Sequence, residues 1–95
     1  MKVKFKQWNC DIRIRHYNND RIVLQLVDEK TGSSIATATV NIPDAILDMD
    51  EVCIKDYSEN TGMLACLVEA GIVTDTGKRI QSGFVNIPVC IFIPE

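Results

Sequence analysis

Between residues 2 and 17 apolar and polar side chains alternate. Val3 and Phe5 stand between Lys2, Lys4 and Lys6, and Cys10, Ile12, Ile14 and His16 stand between Asp11, Arg13, Arg15 and Tyr17. A period of two with one apolar face predicts two half-buried strands. With Trp8-Asn9 as a two-residue turn, Phe5 falls opposite Ile12 and Val3 opposite Ile14, so all four share one face and the charges share the other. Asn18-Asn19-Asp20 predicts a turn, because these side chains tolerate left-handed backbone. A third strand follows, with Ile22, Leu24 and Leu26 on one side and Val23 and Val27 on the other, the pattern of a central strand. After Lys30-Thr31-Gly32-Ser33, residues 35–42 predict a fourth strand in which Ala36, Ala38, Val40 and Ile42 share a face. Pro43, which has no amide proton, ends it.

Residues 44–50 read as a connector and 51–55 as a short strand. The period then changes. Met63, Leu64, Leu67 and Val68 recur at helical spacing, with Ser58 and Asn60 as cap candidates and Gly71 as the stop, so a helix is expected over about 59–70. Residues 72–74 predict a short strand and 75–83 a loop with glycines at 77 and 83. The last strand, 84–93, is apolar on both faces. Val85, Ile87, Val89, Ile91 and Ile93 fill one, and Phe84, Cys90 and Phe92 most of the other. It needs cover on both sides, yet Pro88 in its middle argues for an edge or a bulge. An apolar edge predicts self-association through this strand. Val40-Asn41-Ile42-Pro43 recurs as Val85-Asn86-Ile87-Pro88, too short a match for an internal repeat.

Length bounds this architecture: 95 residues, 46% of them hydrophobic, make one domain and are too apolar for disorder. No uncharged apolar run approaches a membrane span, and the alternating start does not read as a secretory signal, so a cytoplasmic location is expected. Cys10, Cys53, Cys66 and Cys90 contain no Cys-x-x-Cys pair and read as buried thiols. Neither a metal nor another cofactor is expected. The net charge of −3 conceals a division. Residues 1–21 carry six Lys or Arg against two Asp, a net of +4, and residues 28–60 carry two Lys against eight acids, a net of −6.

Several constellations along the chain bear on chemistry. Lys2, Lys4, Lys6, Arg13 and Arg15, with Trp8 nearby, form a cationic hairpin face that would suit single-stranded nucleic acid, although an acidic domain lacks the usual basic footprint. Asp75-Thr76-Gly77 has the letters of an aspartic-protease half-site, but Lys78-Arg79 follows at once and the context is that of a turn. Asp48, Asp50, Asp56 and Glu59 match four positions of an EF-hand loop, yet Cys53 stands where that loop needs glycine. His16 and Cys10 lie six residues apart on one strand, about 20 Å, too far for a nucleophile and base. The residues between Gly77 and Gly83 offer Lys78, Arg79 and Gln81 to an anion or an acidic partner. Lys55 and Tyr57, before the helix, offer a second such surface.

Ala36-Thr37-Ala38-Thr39-Val40-Asn41, Ile54-Lys55-Asp56-Tyr57-Ser58-Glu59-Asn60, Gly62-Met63-Leu64, Leu67-Val68-Glu69-Ala70-Gly71-Ile72, and Ser82-Gly83-Phe84-Val85 with Pro88-Val89-Cys90 resemble a family of short proteins of unknown function. That family is found on phages, plasmids and integrated elements of gut bacteria. The resemblance implies a small accessory protein of a mobile element and carries no site residue with it.

The expected fold is therefore α+β: a mainly antiparallel, strongly curved sheet of five to seven short strands with a single helix packed on it. The expected function is a non-enzymatic interaction protein that binds a host protein or small anionic ligand through Lys55, Tyr57, Lys78, Arg79 and Gln81. Nucleic-acid binding by the hairpin is the alternative, and a small hydrolase comes third.

Overall fold

The alternating N-terminal residues form a hairpin in the computed structural model, which describes residues 1–94. Strand β1 (Lys2–Phe5) pairs antiparallel with β2 (Trp8–His16). The turn is Lys6-Gln7, with Lys6 at φ +55°, and not Trp8-Asn9. Phe5 therefore faces Trp8, and Val3 faces Cys10. The face assignment survives because the register differs by an even number of residues, but the charges are rearranged. Lys2 now stands opposite Asp11 and Lys4 opposite Asn9, where the expected register opposed cations to cations. The observed pairing trades like-charge repulsion for an ion pair and gains an aromatic cross-strand contact.

Strand β3 (Ile22–Asp28) lies between β2 and β4 (Ser34–Thr37), so the first sheet runs β1-β2-β3-β4. Leu24 and Leu26 are fully buried, as a central strand requires. Strand β4 is shorter than residues 35–42, and its register to β3 shifts between Leu26 and Val27. The second sheet contains β5 (Glu51–Cys53), β6 (Val73–Ser82) and β7 (Val85–Phe92) in the order β5-β7-β6. Seven antiparallel strands and one α-helix make the α+β class, with the strands divided between two sheets. An antiparallel bridge between Thr39 and Ile54 joins them. The Val40 N–H donates to the Cys53 carbonyl at 3.0 Å, and the Lys55 N–H to the Ala38 carbonyl at 2.8 Å.

Two expectations for the C-terminal third are corrected. Residues 75–82 are strand and not loop. The last strand is central and not an edge, so the edge argument for self-association through 84–93 falls away. Pro88 is accommodated because the partner strand bulges. The β6 register shifts between Asp75 and Arg79, and Pro88 sits opposite Arg79. Both faces of β7 are covered: Cys90 and Phe92 join the main core, while Ile87 and Val89 join Cys53 in a second, smaller one.

The helical segment divides into a 3-10 turn (Ser58–Asn60) and α1 (Met63–Glu69), shorter than 59–70. Neither Ser58 nor Asn60 caps it. The Asp56 carboxylate does so from upstream, accepting the N–H groups of Gly62 and Leu64 at 3.1 and 3.0 Å. At the other end Gly71 (φ +72°) and Ile72 return their N–H groups to Val68 and Leu67, a Schellman stop with Leu67 and Ile72 both buried. Helix α1 packs on β1 and β6, strands at the outer ends of the two sheets. The Cys66 thiol donates to the Lys4 carbonyl at 3.2 Å and helps to cover the β1 edge. Among the described residues no helix is long and apolar enough to cross a membrane.

Candidate functional site

The bridge between the sheets brings residues 35–41 against residues 55–60, and a cleft of about 370 Å³ opens above the junction. One wall comes from β4 and its continuation, with Ile35, Ala36 and Thr39. The other comes from the segment entering the helix, with Lys55, Tyr57 and Glu59. Tyr17, at the end of the β2 alternation, closes one side. Its hydroxyl donates to the Thr39 carbonyl at 3.3 Å and lies 3.2 Å from the Thr39 hydroxyl, which accepts the Leu24 N–H. Asn60 is buried at the base, where its amide donates to the Thr37 carbonyl at 2.7 Å. The floor and the tyrosine are therefore fixed by hydrogen bonds within the chain.

The rim carries the charge. Lys55 Nζ is 2.5 Å from Glu59 Oε1 and 5.6 Å from the centroid of the Tyr57 ring. Each partner stabilises the charged form of the other: Glu59 raises the Lys55 pKa, and Lys55 lowers that of Glu59. The Glu59 side chain is 68% exposed and that of Lys55 28% exposed.

Of the five residues expected to bind a ligand or partner, Lys55 and Tyr57 line this cleft, and Lys78, Arg79 and Gln81 lie on β6. Lys78 reaches across β7 to Glu51 on β5, Nζ to Oε2 2.5 Å. Arg79 forks onto Asp75, with contacts of 2.9 and 3.0 Å. Asp75 also accepts the Gly77 N–H at 2.9 Å, and these two donors hold its pKa below the usual carboxylate value. The Thr76 hydroxyl donates to the Val89 carbonyl at 2.6 Å and accepts the Lys78 N–H. Gln81 folds onto the Gly83 carbonyl at 3.4 Å. These side chains close the bulge and the hairpin.

Four of the cationic hairpin residues stay together: Lys2, Lys4, Arg13 and Arg15 share the outer face of the first sheet, where Arg15 donates to Gln25 at 3.0 Å. Lys2 is paired with Asp11 at 2.8 Å and Glu29 at 3.4 Å. Lys6, in the turn, donates to the Glu59 carbonyl at 2.8 Å. Trp8, in register with Phe5, belongs to the opposite face.

A second cleft, of about 340 Å³, lies between the 18–21 turn and the 43–50 connector. Two of its charged groups, Arg21 and Glu51, are committed. The Arg21 guanidinium donates to the Ile42 and Ala45 carbonyls, and Glu51 accepts the Asp48 N–H and pairs with Lys78. The four thiols are unpaired and all have raised pKa values, chiefly through burial, with Cys90 pushed up to about 12. Among the described residues no group of three or more His, Cys, Asp or Glu side chains is placed to hold a metal ion.

The sequence marks none of Tyr17, Thr39 and Asn60 as a site residue, Asn60 being read as a helix cap. Thr39 is 22 residues from Tyr17 and Asn60 is 23 from Thr37, so the first contact depends on the strand pairing of the first sheet and the second on the docking of the 55–60 segment against it. The one local signal was Tyr17, a large ring out of phase with the buried face of its strand. The chain matches no family model, no curated protein and no solved structure.

Proposed function

We propose that the protein is a non-enzymatic binding protein whose cleft above the sheet junction holds a small ligand, with Lys55 receiving its anionic group. The observation that carries this reading is the contrast between a fixed floor and a free rim. Thr39, Asn60 and Tyr17 are locked by hydrogen bonds, while at the rim the half-buried Lys55 is paired with a Glu59 carboxylate that is open to solvent. Preorganised walls with a few convergent polar groups are the usual form of a small-molecule site. Neither His16 nor any of the four cysteines lines the cleft, and the Thr39 hydroxyl is already engaged by Leu24 and Tyr17, which favours binding over catalysis. The resemblance to mobile-element proteins makes the host's own metabolite pool the source of such a ligand.

The test is an amide-resolved NMR titration with a panel of small carboxylates and phosphates. Shifts confined to residues 35–41 and 55–60, lost on Lys55→Ala, support the proposal. Shifts centred on 75–83 or on the outer face of the first sheet, or no shifts at all, would sink it.

A further inference from the structure

Within that proposed anion-binding cleft, on which this step rests, we infer that the ligand is a zwitterion of the α-amino acid type. Its carboxylate is taken by Lys55 and its ammonium by Glu59. The rim presents one cation and one anion at 2.5 Å, side by side on a single turn of chain. An ion pair exposed to this extent is worth little to the fold, so its two halves exchange readily for other partners. The exchange is balanced for one class of ligand alone. A simple anion that captures Lys55 strips Glu59 of its counter-ion and then lies beside a bare carboxylate. A simple cation on Glu59 leaves Lys55 in the corresponding position. A ligand with an ammonium and a carboxylate on one carbon replaces both halves of the pair and leaves neither uncompensated.

The rest of the cleft suits what an α-amino acid carries besides its charges. Ile35 and Ala36 supply an apolar wall. The Tyr57 ring, from which Lys55 would swing toward the carboxylate, presents a flat face. A volume of about 370 Å³ admits a single amino acid with a large side chain. The pairing of both charges on one carbon separates this ligand from a protein terminus, which offers one charge or the other.

The experiment is an amide NMR titration of the full chain with L-phenylalanine, N-acetyl-L-phenylalanine and L-phenylalaninamide as zwitterion, anion and cation of one shape. The expected result is a dissociation constant for phenylalanine at least tenfold below that of either derivative, with shifts at residues 35–41 and 55–60. Lys55→Ala should reduce phenylalanine to the affinity of the amide, and Glu59→Gln to that of the N-acetyl compound. Unchanged amide spectra away from the cleft show that each variant is folded. If N-acetylphenylalanine binds as tightly as phenylalanine, the zwitterion is overturned and the anion site stands. If none of the three binds but other carboxylates or phosphates do, the amino acid class is overturned. If no anion binds, both readings fall.

Discussion

Two lysine–glutamate pairs in this molecule have the same 2.5 Å separation and opposite characters. Lys78–Glu51 straps the two outer strands of the second sheet across β7, and the Glu51 side chain is only 5% exposed. Its other oxygen accepts the Asp48 N–H at 2.8 Å, and this bond first, then Lys78, holds the Glu51 pKa below its ordinary value of 4.5. Lys55–Glu59 is a single-turn pair at the rim of the cleft, with Glu59 open to water. Distance does not separate a structural tie from a ligand-accepting one. Solvent and the number of further partners do: a buried carboxylate with two donors cannot change partners without leaving both unsatisfied, and an exposed one can.

The comparison breaks most visibly at Glu51. Glu51→Ala removes a buried acceptor from a backbone N–H and from Lys78, and about 2 kcal/mol of stability should be lost in urea unfolding at neutral pH. Asp56→Ala, which uncaps α1 while leaving both pairs in place, should cost about 1 kcal/mol by the same measurement. The acid limb comes next. Because the folded pKa of Glu51 is depressed, its contribution is present above pH 4.5 and disappears as the pH falls through the folded value, so the protein should lose stability on acidification below pH 4.5. Asp75 acts in the same direction, and the slope should be shallower, not absent, in Glu51→Ala when melting temperatures are followed from pH 6 to pH 3. At the small end, Lys55→Ala and Glu59→Gln should leave the thermal midpoint within measurement error. A large drop for either would mean that the rim pair is structural, and the contrast would collapse.

What could be read beforehand follows the same physical division. The first three strands, the two-faced last strand and the Gly71 stop were legible because burial imposes a period, and a left-handed backbone imposes its residue. Strand β6 was legible only at its start, where the short strand expected over 72–74 meets Val73 and Thr74. As an edge strand it buries Val73, and from Thr74 to Ser82 only Ile80 is apolar, so no alternation marks it. The helix start was misread because the cap is Asp56, six residues before the Gly62 amide it accepts, outside the usual capping distance. For the site, Lys55 and Tyr57 were readable as a charged and aromatic approach to a helix. The residues that fix the cleft were not, since nothing local in Thr39 or Asn60 announces hydrogen bonds to partners some 15 to 23 residues away in the chain.

The Thr39–Ile54 bridge also has a mechanical side. It is a narrow seam between two β-layers, each with hydrogen bonds that run within it, and the cleft lies directly over that seam. Any occupant would touch residues 35–41, which extend the first layer, and 55–59, which follow directly from the bridge, so its binding energy acts as a suture. Occupancy should therefore slow local opening at the bridge. Amide hydrogen exchange at Val40 and Lys55, whose N–H groups hold the seam, is where that slowing would register first.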